Sequence, residues 1–497
     1  MSQSTILRGG QIIDPAQGLN KFTDLTITDG KIAAIGDSEL SADADVVDVS
    51  GLIVTPGWID LHVHAYGDLG FAYPDYIGIY GGVTTFVDAG GPGFGTFPEF
   101  KALMTDATVT DLYCGPYVRP LGIITSAYIE GDVRTLGAWD MAAWLDIVSE
   151  DRDVFAYLKL GAFGDHDWGP LRLGKGAAQI LELPTYTHIG DFQVAPRRDT
   201  TGPAFEVAER GDMITHIYHG NPGTILNEDG KIRHEVLAAE KRGVLFDIGM
   251  GSTNFSFDIA EKAIAQDLLF HTISSDLQQF NVMHPVYSFT NVLTCILALG
   301  IELEQIIECI TIAPARAIRI DDHAGSLAVG RPADVSVMKI EDGDFELEDC
   351  EQQTRKSDRQ ILPVMAFKRG VRYDCDVTLA RNERNWLPMI DQDVIPQRAA
   401  TLVPGQKVFL DTLAADLGQL NWDDTKVDLD VAIRVQECFH GTRDKVGLPL
   451  ADALTATYKC FLEEPFTYQI GLFLTRIERG FAIDRIQQVG GGVRAAA

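Results

Sequence analysis

The stretch GWIDLHVHAY, residues 57–66, joins an apolar strand to the pattern H-x-H near its end. Successive side chains of a β-strand point to opposite faces, so His62 and His64 share one face. Both imidazoles can then be directed at one metal ion, since histidine nitrogen is a common metal ligand. Two histidines in a strand can equally make ordinary polar contacts, and the rest of the sequence decides between these interpretations.

The segment that contains this strand, about residues 56–322, alternates strand-like runs with helical runs. GVTTFVDAG (82–90) precedes PEFKALMTDA (98–107), and VLFDIGM (244–250) precedes FDIAEKAIAQ (257–266). Repeated β–α alternation predicts a parallel sheet with helices outside it. The number of units suits a closed (β/α)8 TIM barrel, an α/β fold in which the chemistry lies at the C-terminal ends of the strands.

The flanks of this segment have a different pattern. Residues 1–55 form short apolar or alternating runs separated by turn signals such as Asp29-Gly30, and the same character returns at 325–338 and 361–373. We expect these strands to pair with one another. The sequence therefore predicts a composite β-domain, a small β-sandwich, built from 1–55 and 323–378.

The C-terminal part of the chain, residues 385–497, follows an irregular stretch that contains three prolines. It has helical periodicity at 428–439 and 448–463 and a strand-like run, TYQIGLFLTRI, at 467–477. The apolar residues of these runs are numerous enough for a core of their own. We therefore predict a packed α+β extension, whose role the sequence does not indicate.

Charge and composition limit the partners of the protein. Its 41 basic and 71 acidic residues give a net charge of -30, and 46% of its residues are hydrophobic. Such a field repels nucleic acid and anionic membrane surfaces, so neither is an expected partner. The charge is explained by solubility, or alternatively by a salt-rich cytoplasm.

The predicted location is the cytoplasm. The N-terminal residues lack the basic start and apolar core of a secretory signal, and no apolar run approaches the ~20 residues of a membrane span. Seven cysteines are scattered without a C-x-x-C pair, which is typical of free thiols in a reducing compartment.

Further polar residues close other strand-like runs of the predicted barrel. Lys159 lies within AYLKLGAF, His188 ends PTYTHIG, His216 lies in DMITHIYHG and Asp276 ends LFHTISSD. Together with H-x-H these residues belong to strands one, four, five, six and eight. Nitrogen and carboxylate ligands suit Zn2+ best, with Mn2+, Fe2+ or Co2+ as alternatives. Six such residues at strand ends favour a metal centre over six separate coincidences.

Lys159 needs a separate explanation because an ammonium is costly to bury in an apolar strand. A neutral amine avoids that cost and can add CO2 to form a carbamate, whose two oxygens can bridge two metal ions. Alternatively, the side chain reaches solvent or pairs with an acidic residue.

The sequence resembles the amidohydrolase superfamily in its dihydroorotase-like branch, where a carboxylated lysine bridges two metals. Within that branch it resembles a bacterial subgroup of amidohydrolases and deacetylases, whose members hydrolyse N-acetyl amino acids or acetyl esters of hydroxy acids. The resemblance spans about residues 1–378, and relatives of the subgroup often carry His where this chain has Met250. The segments that carry it are VTPGWIDLHVHAY, GVTTFVDAGGPGFGTFPEF, THIG, THIYHGNPG, FDIGMGSTNFSFDIAEKAI, HTISSDL and TIAPARAIRIDDHAGSLAVGRPADVSV.

The resemblance implies two divalent metal ions, zinc being the expected metal, held by six residues. These are His62 and His64 with Asp276 for the more buried ion, His188 and His216 for the second, and carboxylated Lys159 as the bridge.

The expected reaction is hydrolysis of a small-molecule amide, of the N-acyl or deacetylase type. Two metals that share a water lower its pKa and supply hydroxide, and Asp276 is the expected catalytic residue that passes the proton to the leaving atom. A cyclic amide or imide of the dihydroorotase or hydantoin type and an acetyl ester remain alternative substrates. A non-catalytic scaffold on the same barrel is the alternative from another class. A homo-oligomer is expected because barrels of this size often self-associate.

Three further residues are candidates for substrate binding. His219 and Asn221 follow His216 in HIYHGNPG and could contact a carbonyl or carboxylate of the substrate; ordinary loop contacts are the alternative. Arg119 in YVRP could hold a substrate carboxylate, or form a structural ion pair. Asp60 is expected to orient the first strand or a ligand and is not counted as a ligand itself.

Overall fold

The computed structural model describes residues 4–36, 44–71, 74–101, 108–117, 122–123, 140–161, 168–190, 199–278, 281–282, 285–375, 390–423, 429–462, 470–475 and 477–491. The chain forms two compact units. One comprises Met1–Tyr66 and Pro74–Glu383, and the other Gly67–Tyr73 and Arg384–Ala497.

Fifteen strands run through the described part of the chain. In sequence order they are β1 Ser4–Asp14, β2 Leu19–Thr28, β3 Lys31–Ile35, β4 Asp45–Asp48, β5 Ile53–Pro56, β6 Trp58–Val63, β7 Val83–Ala89, β8 Asp111–Gly115, β9 Leu158–Gly161, β10 Thr185–His188, β11 Met213–Thr215, β12 Leu245–Phe246, β13 Val335–Glu348, β14 Thr354–Lys368 and β15 Val371–Asp374.

One sheet combines strands from both flanks of the chain. Its order is β15-β14-β13-β5-β1-β2-β3, with β4 also paired to β1. The two flanks meet where Val335 to Met338 run antiparallel to Pro56 to Ile53. β13 begins only at Val335, so the strand expected to start at residue 325 is ten residues shorter at that end, and it continues through an acidic segment that sequence analysis left unassigned.

The barrel closes through isolated bridges between two short parallel sheets. β6-β7-β8 form one sheet and β12-β11-β10-β9 the other. Parallel bridges between Tyr117 and Lys159 and between Cys114 and Phe155 join β8 to β9. The extended segment 272–277 serves as the eighth strand, bridged to Asp247 on one side and to Val63 on the other. The C-terminal ends of all eight strands therefore meet at one mouth.

Helices lie between the barrel strands and in the second unit. Several begin at a side-chain cap, as where Asp140 accepts from the Ala143 backbone N–H and Ser288 from that of Asn291. In the described residues the helices are α1 Phe97–Phe100, α2 Met141–Glu150, α3 Gly169–Leu181, α4 Thr201–Val207, α5 His234–Arg242, α6 Phe257–Ile264, α7 Phe289–Ala298, α8 Leu303–Ile310, α9 Ile312–Ala317, α10 Pro404–Leu417, α11 Leu429–Val446, α12 Leu450–Tyr458, α13 Ile470–Thr475 and α14 Arg479–Gly490.

None of the helices in the described ranges combines the length and the apolar character that crossing a membrane requires.

The second unit has its own apolar core, to which α10–α14 contribute. The prediction of a strand at 467–477 is wrong over residues 470–475, because these residues form the helix α13. The α+β character predicted for this extension is wrong with it. Its sequence alternates as a strand does, yet Ile470, Phe473, Leu474 and Ile477 also follow helical spacing, and these four side chains are buried. The helix places these four apolar side chains in the core of the second unit.

Candidate metal centre

A buried carboxylate lies among three imidazoles at the mouth of the barrel. Asp276 Oδ1 is 3.2 Å from His62 Nε2 and 3.1 Å from His64 Nε2, and Asp276 Oδ2 is 3.9 Å from His216 Nε2. Ligand atoms of His62, His216 and Asp276 all lie within 4.8 Å of one another. One cation can contact all three at once.

Backbone pairing between the first and eighth strands sets the position of these side chains. The Asp276 N–H donates to His62 O at 2.7 Å, and the His64 N–H donates to Leu277 O at 2.8 Å. Below them the buried Asp60 carboxylate accepts from Ser275 Oγ at 2.5 Å and from the His62 N–H at 3.2 Å. Asp60 thus ties the two strands together, as the sequence led us to expect of an orienting residue.

Burial favours the neutral form of three histidines of the centre, His62, His188 and His216. Burial lowers the pKa of His62 and of His216 well below the ordinary value, and lowers that of His188 to about 3. His216 Nδ1 lies 2.6 Å from Gly249 O, so this nitrogen carries the proton and donates it. The lone pair of His216 Nε2 is left facing Asp276.

The residues fit a divalent cation. His216 Nε2, Asp276 Oδ1 and the Nδ1 atoms of His62 and His64 are buried and make no hydrogen bond within the described part of the chain. Buried polar atoms without partners are costly, and a cation bound between the imidazoles and Asp276 would satisfy His216 Nε2 and Asp276 Oδ1 together. Backbone strain adds to this cost, since His216 and Asp276 have φ values of 68° and 51°.

Lys159 lies beside this group on the fourth strand. Its side chain is buried, and Nζ is 2.9 Å from His62 Nε2 and 4.8 Å from the centroid of the Tyr186 ring. Burial lowers the pKa of Lys159 to about 7, against the opposing attraction of Asp276. A substantial neutral fraction at neutral pH follows, and a neutral amine is the form that can react with CO2.

His188 ends the fifth strand next to His216, with ring centroids 4.3 Å apart. The structure thus brings together all six predicted ligands at one end of the barrel. His62 and His64 lie nearer to Asp276 than His216 does, at 3.2 and 3.1 Å against 3.9 Å, and His216 is also close enough to share an ion with His62 and Asp276. The resemblance assigns His216 to the second ion, and this assignment stays a prediction.

The three substrate-binding candidates have different surroundings. His219 is fully buried, and neither of its ring nitrogens makes a hydrogen bond to a described residue. Burial also lowers its pKa to about 4. Asn221 donates from Nδ2 to Thr253 O at 2.9 Å, which fixes its amide in the loop. Arg119 lies outside the described residues.

A buried carboxylate under the centre, Asp247, was not recognised from the sequence. Asp247 accepts from four hydroxyl groups, which are Tyr186 OH at 2.6 Å, Thr215 Oγ1 at 2.8 Å, Thr272 Oγ1 at 2.7 Å and Ser274 Oγ at 2.6 Å. Its position inside the apolar run VLFDIGM was the available signal.

Asp88 is a second acidic residue that was missed. Its carboxylate accepts from the backbone N–H groups of Ala65, Tyr66 and Gly91 at 2.7, 2.8 and 2.6 Å, and therefore holds the turns after strands one and two. The run GVTTFVDAG contained the corresponding signal, an acidic residue at the end of an apolar strand.

Known proteins resemble this chain in sequence and in fold. Residues 258–366 match the model of the amidohydrolase family. A deacetylase of Agrobacterium fabrum is 32% identical over 356 residues, covering 69% of this chain and 85% of the relative. A deacetylase of Brucella anthropi is 30% identical over 356 residues, covering 69% of this chain and 86% of the relative.

A crystal structure of a dihydroorotase superposes with a TM-score of 0.67 at 28% identity, covering 75% of this chain and 98% of the other. The shared fold is a TIM barrel joined to a β-domain. With the sequence matches and the buried set of His62, His216 and Asp276, it shows that the chain belongs to the amidohydrolase superfamily.

Proposed function

We propose that the protein is a binuclear metal-dependent hydrolase that cleaves N-acyl amide bonds of small molecules, as a deacetylase does. The observation that carries this proposal is the Asp276 carboxylate, buried within 3.2 Å of two imidazoles and 3.9 Å from a third. The similarity to two bacterial deacetylases supports the choice of an N-acyl group.

Two divalent ions, zinc by ligand preference, would be held by six residues. These are His62, His64, Lys159, His188, His216 and Asp276. Metal ions in such a site supply Lewis acidity toward the substrate carbonyl and acidify a water. The neutral state of the histidines supports this assignment, because only an unprotonated imidazole nitrogen can bind a metal.

Lys159 is proposed to act as its carbamate. The amine is buried in contact with His62 and has a pKa near neutrality, so it is available for CO2 without first losing a strongly held proton. The product carries a negative charge and two oxygens, which suit a bridging position between two cations.

Asp276 is proposed to move the proton during hydrolysis. Oδ1 lies between His62 and His64, which leaves Oδ2 to accept a proton from the attacking water and return it to the leaving nitrogen. A Cβ at Gly251 would lie 2.4 Å from Oδ2, so glycine at this position keeps that oxygen accessible.

His219 is proposed to contact the acyl group. It is buried, neutral and without a hydrogen bond among described residues, and it follows His216 by three positions. A neutral imidazole donates one hydrogen bond, which a substrate carbonyl or carboxylate can accept. Asn221 and Arg119 remain further candidates, the first through its carbonyl oxygen.

A cyclic amide or imide is the second candidate substrate, because a dihydroorotase structure is similar at 28% identity. The test is a hydrolysis screen of N-acetyl amino acids and amines, cyclic imides and acetyl esters with metal-loaded protein. We expect the N-acetyl compounds to be the best substrates. If the imides are hydrolysed faster, the substrate class is cyclic imides and not N-acyl amides. If the wild type hydrolyses no compound faster than Asp276→Asn does, the protein is a non-catalytic scaffold.

A further inference from the structure

The tip of the hairpin between β13 and β14, residues 349–353, packs on the segment that follows strand seven of the barrel. The Cys350 N–H donates to Phe255 O at 3.1 Å, and the Phe257 N–H donates to Asp349 Oδ2 at 2.8 Å. The buried Asp349 also accepts from the backbone N–H groups of Glu351 and Gln353 within the tip. This carboxylate therefore fixes both the shape of the hairpin tip and its place on the barrel.

A single residue, Gly251, lies between the hairpin tip and the Asp276 carboxylate. Cys350 Sγ is 3.3 Å from Gly251 O, and the position a Cβ would take on Gly251 is 2.4 Å from Asp276 Oδ2. A hairpin that belongs to the β-domain thus borders the mouth of the barrel where substrate would enter.

Glu351 carries an uncompensated negative charge at this border. Its Oε2 accepts from Ser256 Oγ at 2.8 Å and from Gln353 Nε2 at 3.2 Å. Its Oε1 accepts no hydrogen bond, and no lysine, arginine or histidine of the described ranges lies within 4.0 Å of the carboxylate. The side chain is exposed, so a dissolved molecule can reach it.

Glu351 also lies against the loop of the substrate-binding candidates. A Cβ on Gly220 would be 1.9 Å from Glu351 Oε1, and Gly220 stands between His219 and Asn221. Glycine at this position leaves room for the carboxylate in its present place. The loop that follows His216 and the hairpin tip therefore form two adjoining parts of one surface.

We propose that Glu351 selects substrates by charge, favouring N-acyl compounds that carry an ammonium group and disfavouring those that carry a carboxylate. An unpaired carboxylate attracts a cation and repels an anion, and the repulsive part is what discriminates between otherwise similar ligands. This inference rests on the proposed amide hydrolysis at the metal centre and adds the class of substrate to it.

The test compares two amides of similar length, N-acetyl-1,4-diaminobutane and N-acetyl-4-aminobutyrate. The kcat/KM of both is measured for the metal-loaded wild type, for Glu351→Gln and for Glu346→Gln, a matched control at an exposed position on the same hairpin. We expect the wild type to favour the cationic amide at least about tenfold, and Glu351→Gln to remove most of that preference through KM, a change of about 1.4 kcal/mol. Glu346→Gln should keep the wild-type preference.

Gly220→Ala provides a second variant, because its methyl group would displace the Glu351 carboxylate and should also narrow the preference. A wild type that favours the anionic amide, or an equal change in both glutamine variants, would overturn the inference while leaving the proposed hydrolase activity intact.

If neither amide is hydrolysed, binding is measured instead, as the rise in the melting temperature of the protein that each compound causes. Selective stabilisation by the cationic amide that Glu351→Gln abolishes supports the inference, and equal stabilisation by both refutes it. Failure of the whole hydrolysis screen counts against the proposed function alone.

Discussion

Nζ of Lys159, on the fourth barrel strand, lies 2.9 Å from Nε2 of His62 on the first. A protonated lysine here would stand among neutral imidazoles with Asp276 as the nearest compensating charge. Two divalent ions in the same space would repel each other and the ammonium strongly at low dielectric. A carbamate reverses the sign of the lysine and offsets part of the metal charge.

The first prediction is that Lys159 carries CO2 in the metal-loaded protein. Mass spectrometry of intact protein prepared with bicarbonate should find the added CO2, and Lys159→Ala should lose at least one metal equivalent and most activity. A short carboxylate such as propionate should restore part of both by occupying the bridge. Lys175→Ala, which removes a lysine paired with Asp212, is the control and should keep its metal. An unmodified Lys159 beside two fully occupied metals would show that the bridge is something else.

The second prediction concerns metal content. We expect about two equivalents of divalent metal per chain, because two ions are needed to engage all six ligands. His62→Ala and His188→Ala should each lower the metal content measured by elemental analysis together with the rate. His234→Ala, at an exposed position on α5, should change neither. Full activity in rigorously metal-free protein would contradict the proposed chemistry as a whole.

The barrel was predictable because its strands carry a repeated signal. The predicted ligands lie within or at the ends of apolar runs, and the structure places them on, or directly after, strands one, four, five, six and eight. The acidic part of the β13–β14 hairpin was not predictable, because a segment such as EDGDFELED resembles a solvent-exposed loop. Its strands form through backbone pairing with each other over residues 335–348 and 354–368, with little apolar pattern to reveal it.

The positions of single side chains could be predicted less well than their strands. Strand-end spacing places His216 near the other ligands, but it does not reveal that His216 Nε2 lies 3.9 Å from Asp276 Oδ2. That approach depends on a positive φ at both residues and on the hydrogen bond from His216 to Gly249 O. Glycine is needed at position 249, since a Cβ there would lie 2.2 Å from Thr215 Oγ1. Such local geometry arises only in the folded barrel.

The third prediction is that Asp247 is a major source of stability. Asp247→Ala would leave four buried hydroxyl groups without their acceptor, so we expect the free energy of unfolding to fall by about 3–5 kcal/mol. Tyr186→Phe removes one of the four donors and should cost about 1–2 kcal/mol. Urea titration measures the free energy of unfolding of both variants, and Asp229→Ala, at an exposed position, is the control. A loss for Asp247→Ala no larger than for Asp229→Ala would show that the network contributes little.

The fourth prediction is that His188 and His219 contribute less to the stability of the metal-free protein as the pH falls through the weakly acidic range. Burial lowers the folded-state pKa of His188 to about 3 and that of His219 to about 4, from an unfolded value of 6.5. Between about pH 6.5 and pH 4 these two positions therefore bind protons in the unfolded chain and not in the folded chain, so their contribution to stability rises with pH. The buried Asp60, whose pKa burial raises to about 7, contributes in the opposite sense.

His219→Asn should reduce that slope by up to one proton, because it removes one of the histidines that must stay neutral in the folded state. The free energy of unfolding, measured by urea titration at several pH values within the window in the presence of a chelator, gives the slope directly. His234→Asn, which changes an exposed histidine outside the centre, should leave it unaltered. An identical slope in wild type and His219→Asn would mean that His219 can accept a proton within the folded barrel, and its proposed role as a neutral donor to the substrate carbonyl would then fail.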